Sequence, residues 1–328
     1  MKRIYKTVDQ HLITCPTLEK GCWVHLQNPT KEEIDGLTTR FKLDPTYLSA
    51  ALDVEERARL EHDDDQTLII VDTPFMEKEG SGYIYSTLPI GIVLVDDVII
   101  TVATQETSII TDFTEERIRG FSTERRFRFI LQLLNRNASM FLSYLRQVDK
   151  ASMTVQNKLE KSLRNKELLQ MMKLEKSLVF FSTSLKGNEV VLEKMVRLES
   201  IKQLPEGGDL LDDVIIENRQ AMEMCTIYRD ILSGTMDAYA SIISNNLNIV
   251  MKVLTSLTVL LSVPALFASF WGMNVSVPFS DSPFGFYIVL AISVITAPSP
   301  LSFCGARKCF DPRAFAALRH SGTAAANR

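Results

Sequence analysis

The sequence predicts an α+β membrane protein: an N-terminal cytosolic α/β domain, then a long helical stalk that continues into the first of two C-terminal transmembrane helices. Three observations carry this reading. Charge divides the chain, with 10 basic and 20 acidic side chains in residues 1–112 against 26 and 20 in residues 113–328. Two modules with different surroundings are implied. Strand signals stop near residue 112 and helical patterning alone follows. Finally, the 54 residues between Lys252 and Arg307 carry one charged side chain, Asp281.

In the first module, Cys22–Leu26 reads as a short strand, and Thr30 with Glu33 three residues on forms a capping box that starts a helix. Residues 43–61 read as a second helix, with Asp44 as its cap and Pro45 at its first position. The β-branched runs 67–75, 86–97 and 98–104 are strands, with Asp96-Asp97 as a hairpin turn. Glu61-His62-Asp63-Asp64-Asp65 falls between helix and strand and reads as a solvated turn. An α/β domain over 1–112, its sheet mainly antiparallel at the edges, follows.

The region 113–250 is helical. Its patterning predicts helices over about 115–186 and 189–203, split at Lys186-Gly187-Asn188, and a break at residues 205–209, PEGGD. Beyond that break, Leu210 to Trp271 contains only Gly234 and Pro264 as poor helix formers, so one helix passes from stalk into membrane. Val214, Ala221, Cys225, Tyr228, Leu232, Tyr239, Ile242 and Ile249 recur mostly at intervals of three, four or seven. Such a seam packs equally well against helices of the same chain or of further copies.

Residues 251–304 form a transmembrane hairpin. Val253–Trp271 is 19 residues without charge, about 28 Å of helix against a hydrocarbon core of roughly 30 Å. Pro264 is tolerated where neighbours satisfy the freed carbonyl. A second apolar stretch runs from Phe284 to Ala297, is interrupted by Pro298 and Pro300, and limps on to Cys304. The tail 305–328 is atypical: alanine-rich, with arginine as its usual base. An out-of-frame or fused ending after about Ala297 is the expectation. Between the spans, residues 272–283 carry no Lys or Arg, whereas Lys252, Arg307, Lys308 and Arg313 lie on the other side. The positive-inside rule then places both termini in the cytoplasm of a multi-pass plasma (inner) membrane protein.

Trp271-Gly272-Met273-Asn274, at the outer end of the first span, resembles the (Tyr/Trp)-Gly-Met-Asn signature of the CorA family of magnesium/cobalt transport proteins. Residues 228–255, YRDILSGTMDAYASIISNNLNIVMKVLT, are similar to that family's stalk-to-pore helix. The resemblance covers about residues 1–297. It implies a homo-oligomer of five copies around a pore that passes Mg²⁺, or Co²⁺ or Ni²⁺, into the cytosol, with no organic cofactor. Mg²⁺ gives up its waters reluctantly, so a ring of neutral oxygens can select the hydrated ion without trapping it. Gly272, Met273 and Asn274 are then the selectivity loop, Asn274 supplying the amide oxygen and Gly272 a tight turn with close backbone approach. Asn248 matches a polar ring, Leu254 a hydrophobic gate, and Thr255, Thr258 and Ser262 are candidate wall groups; helix packing in lipid is an equally common use of Thr and Ser.

For regulation by intracellular cation, Asp213 and Asp237 match the family's stalk carboxylates. The acidic pair expected on the N-terminal domain falls instead on Ser49-Ala50, with Asp53 a turn further on. Weakened or relocated sensing is expected, because a bridged divalent ion wants hard oxygen ligands.

The near-neutral balance, 36 basic against 40 acidic side chains, argues against a nucleic-acid partner. The chain opens without an apolar signal core, and Cys15, Cys22, Cys225, Cys304 and Cys309 form no CxxC pair; the bulk of the chain reads as cytosolic, without a disulfide framework. No HExxH, GxSxG or P-loop is present, and Gly80-Ser81-Gly82 lacks the following helix of a phosphate loop. An enzyme is not expected. Three other readings share these features: a Zn²⁺ transporter of the same fold, a membrane-anchored helical scaffold, and a non-conducting truncated variant.

Overall fold

The computed structural model describes residues 1–63, 66–79, 82–161, 165–202, 207–278 and 283–296. It divides into two compact units, Met1–Gly234 and Thr235–Arg328.

The first unit is built on strands β1 (Lys2–Val8), β2 (His11–Thr14), β3 (Trp23–Gln27), β4 (Arg59–Asp63), β5 (Gln66–Glu79), β6 (Gly82–Val95) and β7 (Val98–Ala103). They form one sheet in the order β2-β1-β3-β7-β6-β5-β4. Only the β3–β7 pair is parallel. Strand alternation sends side chains to two cores. Val24, Leu26, Leu68, Ile70, Val93, Ile100 and Val102 meet Leu37, Tyr47, Leu48 and Ala51 on one face. That face is covered by helices α1 (Lys31–Phe41) and α2 (Tyr47–Ala50).

The opposite face presents Trp23, Ile69, Val71, Ile92, Leu94 and Ile99. It is covered by α3 (Ser108–Thr114), α4 (Arg126–Lys161), α5 (Asn165–Met195), α6 (Glu199–Lys202) and the start of α7 (Gly207–Trp271). Trp23 is fully buried, 5.0 Å from the Phe129 ring, and its indole N–H donates to Thr101 Oγ1 at 2.9 Å. Asp112, 3% exposed, sits between Arg117 at 3.1 Å and Arg136 at 2.6 Å. That arrangement clips α3 to α4.

β5 outruns its neighbour. β4 pairs with it only as far as Ile70, opposite Arg59, and on its other side Asp72 faces Pro89 of β6. The backbone of Asp72 would be left without a strand partner. Two asparagines replace one. Asn188 Oδ1 accepts from the Asp72 N–H at 2.9 Å, and the side-chain amides of Asn188 and Asn137 both donate to its carbonyl at 2.8 Å. Helices α4 and α5 thus hold the sheet through one residue's main chain.

Several sequence expectations are met. The capping box at Thr30 and Glu33 forms, with bonds of 3.3 and 3.0 Å. Asp96, at φ 46°, and Asp97 make the two-residue turn between Val95 and Val98. No strand occurs among the described residues after β7, and α7 runs unbroken through Gly234 and Pro264.

Others are corrected. The helix expected over 43–61 shrinks to α2, and residues 59–63 become β4. Asp44 Oδ1 is taken by Thr46, through its N–H at 2.8 Å and its hydroxyl at 2.6 Å, and Asp53 Oδ1 by the Glu55 N–H at 3.0 Å. These local turns compete with helix, while pairing to β5 claims 59–63. Glu61, His62 and Asp63 are therefore strand rather than turn, and Asp64 and Asp65 lie outside the described residues. The split at 186–188 does not occur, because α5 runs through it. At Gly187 an added Cβ would stand 3.1 Å from the Ala58 side chain, and Asn188 is the asparagine that binds Asp72. Helix near 189–203 instead ends at Met195 and resumes as α6. The helix expected from 115 begins only at Arg126, after Gly120 at φ 74°. Gly207, Gly208 and Asp209 open α7 rather than break it; Pro205 and Glu206 lie outside the described residues. β1 and β2, unforeseen, carry polar residues at too many positions to show alternation.

In the second unit α7 continues to Trp271, and α8 (Gly285–Thr296) follows. Among the described residues α7 is the one helix long and apolar enough to cross a membrane. α8 is apolar but 12 residues long. The expected continuation of the second span, Pro298, Pro300, Cys304 and the tail 305–328 all lie outside the described residues, as does the reading of an out-of-frame ending.

Candidate functional site

The apolar part of α7 exists because Leu, Val, Ala and Phe can all satisfy their main chain within a helix, and nothing in 253–271 needs water. Asn248, Leu254, Thr255, Thr258 and Ser262 are all exposed on it. At 100° per residue, Asn248, Thr255 and Ser262 fall within a stripe of roughly 40°, and Thr258 flanks it. Leu254 is turned roughly 100° from the centre of that stripe. Met251 and Ser269, both exposed, border the stripe on the side of Thr258 and were missed from sequence. The steps 248, 251, 255, 258, 262 would have revealed Met251, being alternately three and four.

The hydroxyls on this face are engaged by their own helix. Thr255 donates to the Met251 carbonyl at 2.8 Å, Thr258 to Leu254 at 2.9 Å and Ser262 to Thr258 at 2.7 Å. Pro264 has no N–H for the carbonyl four residues earlier, yet the helix persists through it.

At the end of α7 the chain turns. The Gly272 N–H donates to Ala268 O at 3.0 Å, Met273 N–H to Phe270 O at 3.4 Å, and the Trp271 indole to Pro278 O at 3.2 Å. The indole bond folds residues 272–278 back over the helix end. Phe267, Phe270, Trp271, Val277, Pro278, Val289 and Ile292 line an apolar cleft of about 180 Å³ beneath it. Asn274 stands clear of all this, exposed, its carboxamide engaged by none of the described residues. Gly272 differs from expectation. Its φ is outside the left-handed region, and a Cβ there would meet Ala268 O at 3.4 Å, an ordinary contact. The turn within one chain does not demand glycine.

Asp213 and Asp237 are both exposed on α7, roughly six to seven turns apart, so one chain does not bring them together. Ser49 spends its hydroxyl on Pro45 and Thr46 carbonyls, and Asp53 caps its own turn. Among the described residues no group of three or more His, Cys, Asp or Glu side chains gathers in a way that could hold a metal. Of the expected seam, Val214, Ala221, Cys225, Leu232 and Tyr239 are buried, Tyr228 and Ile249 half-buried and Ile242 exposed. The Cys225 thiol donates to Leu178 O at 3.2 Å, and burial pushes its pKa up to about 11.

The family model described as CorA-like Mg²⁺ transporter protein matches residues 19–303. The cobalt/magnesium transport protein CorA of Methanocaldococcus jannaschii is 27% identical over 282 residues, covering 83% of this chain and 86% of that protein. The complete structure of the CorA magnesium transporter from that organism superposes with a TM-score of 0.80 at 22% identity, over 94% of this chain and 98% of that one. The ZntB cytoplasmic domain from Vibrio parahaemolyticus shares the fold at a TM-score of 0.55 and 12% identity, over 75% of this chain and 97% of that one.

Proposed function

This chain belongs to the family of CorA-like Mg²⁺ transporter proteins, and we propose that it works as a homo-oligomeric channel passing Mg²⁺, with Co²⁺ or Ni²⁺ as further cargo, across the plasma membrane into the cytosol. The observation that carries the reading is Asn274: an amide engaged by no described residue, exposed just past the end of the apolar helix. One such amide cannot surround an ion. Several copies about an axis supply a ring of acceptors, and five is the number we assign. The ring binds the outer hydrogens of hydrated Mg²⁺ rather than the bare ion, which leaves the waters in place. Gly272 and Met273 set the loop. Asn248, Thr255 and Ser262 line the path on their shared stripe with Thr258 beside it, and Leu254, about 100° away around the helix, closes it by dewetting when the helix turns that face to the axis.

No nucleotide motif is available to drive transport. The membrane potential supplies about 2.3 kcal/mol per charge per 100 mV, and twice that for a divalent ion. Both termini lie inside, following the charge asymmetry of the hairpin 251–304. Regulation is assigned to Mg²⁺ held between copies by Asp213 and Asp237, the domain 1–112 contributing through a face where Ser49-Ala50 lack carboxylates, and 113–250 acting as the stalk. The fold likeness to a ZntB domain keeps Zn²⁺ transport as the second reading.

The test is flux through the full chain in liposomes, read with Mg²⁺- and Zn²⁺-sensitive dyes under an imposed potential. Mg²⁺ influx that is lost in Asn274→Ala, with the oligomer intact by size, supports the proposal. Zn²⁺ influx alone favours the second reading. An assembled oligomer that passes neither ion is the scaffold and overturns both.

A further inference from the structure

Asn137 of α4, Asn188 of α5 and Asn218 of α7 meet at a cavity of about 10 Å³, whose remaining lining is aliphatic and includes Val71 of β5. The three asparagines are 3%, 4% and 2% exposed, and Val71 is 1% exposed. A cavity of about 10–15 Å³ holds one water when polar groups line it and stays dry when only apolar ones do. The polar lining therefore decides what this one holds.

Asn137 has its orientation fixed by its partner. Its amide nitrogen donates to the Asp72 carbonyl at 2.8 Å, and a carbonyl cannot donate in return, so the two ends of the carboxamide cannot be exchanged. Asn137 Oδ1 is left buried with no donor among the described residues. An oxygen in that position carries its full desolvation cost unless something donates to it. Asn188 uses one amide hydrogen on the Asp72 carbonyl and one lone pair on the Asp72 N–H, which leaves it one hydrogen and one lone pair. Asn218 spends its amide nitrogen on Leu185 O at 3.1 Å and Met222 Sδ at 3.7 Å, and has its oxygen to offer. The lining thus supplies acceptors in excess and a donor as well. It contains no carboxylate, so a divalent cation would lack the charged oxygens that offset its dehydration. Water, with two hydrogens and two lone pairs, matches both kinds of partner.

We propose that one ordered water is bound at this node, donating to Asn137 Oδ1 and Asn218 Oδ1 and accepting from the Asn188 amide. It joins α7, the helix that continues to Trp271, to the two asparagines that hold the main chain of Asp72. The start of α7 then has a polar tie to the sheet beside its aliphatic packing, and that tie passes through a molecule that can leave.

The test uses the full chain in detergent, carrying Trp271→Phe so that Trp23 alone reports urea unfolding. Val71→Ile adds one methyl group to the wall of the cavity. With a water bound, the methyl expels it and strands Asn137 Oδ1, and the midpoint should fall by roughly 0.5 M. In an Asn137→Leu background, similar in shape but with no oxygen to serve, the same substitution should leave the midpoint unchanged or raise it. A rise with Asn137 present is the response of a dry hole being filled, and an equal fall in both backgrounds is overpacking. Either result overturns the proposal. A structure of the full chain that shows ordered waters should carry a density peak about 2.8 Å from Asn137 Oδ1; no peak there overturns it too.

Discussion

Replacing Asn188 by alanine should destabilise the N-terminal unit far more than replacing Asn137. Asn188 is 4% exposed and serves both polar groups of the Asp72 main chain, whereas Asn137 donates only to the carbonyl. Asn188→Ala strands the Asp72 N–H and forfeits one of two bonds to its carbonyl, together about 2–3 kcal/mol. Asn137→Ala leaves Asn188 still donating to that carbonyl, so its cost should be about 0.5–1.5 kcal/mol. The double variant leaves the carbonyl bare as well and should cost more than the two singles combined. Urea unfolding of the full chain in detergent measures this, with the fully buried Trp23 as reporter and Trp271→Phe silencing the other tryptophan. The midpoint should fall with the slope unchanged. Asn188→Ala within about 0.5 kcal/mol of wild type, a difference no larger than ordinary surface substitutions give, would refute the reasoning. So would Asn137→Ala costing the more.

His25, 5% exposed and bonded to Thr101 Oγ1 at 2.9 Å, has its pKa lowered to about 4, chiefly by burial and then by Arg3. Because the folded value lies below the unfolded one, stability present above about pH 6.5 should drain away as pH falls through 4, by about 3 kcal/mol. His25→Phe should flatten that part of a pH–stability profile. Gly272→Ala should leave expression and helix content unchanged, since a Cβ there meets only an ordinary contact with Ala268 O. Flux in liposomes should nevertheless fall at least tenfold, which would place the need for glycine between copies.

Sequence patterning revealed what periodicity and caps encode. The Thr30–Glu33 box, the Asp96-Asp97 turn and the charge-free stretch of α7 each follow from a local rule. The failures were local rules overruled by distant partners. Gly187-Asn188 looks like a helix break because nothing nearby says that a glycine is needed against Ala58 and an asparagine against Asp72, a strand more than a hundred residues earlier. Residues 59–63 carry helix-forming charges, yet pairing with β5 decides them. At the site, Asn248 came from the resemblance to the family's pore helix and Thr255 and Ser262 as wall candidates, while the helical spacing that puts the three on one stripe went unused. Asn274 needed the motif, since an exposed asparagine has no pattern of its own. The turn at Gly272 does not by itself ask for glycine, since a Cβ there meets only an ordinary contact with Ala268 O.

Thr255, Thr258 and Ser262 have each committed their only hydroxyl proton to the helix that bears them. What they turn outward is therefore lone pairs alone. A solvated cation carries its waters with hydrogens pointing away from the charge and finds matching acceptors all along such a surface. A solvated anion, whose waters face the other way, finds none. On the proposed path, sign discrimination would then rest on the backbone geometry of the charge-free stretch 253–271 rather than on fixed charges that attract counter-ions or are screened by salt.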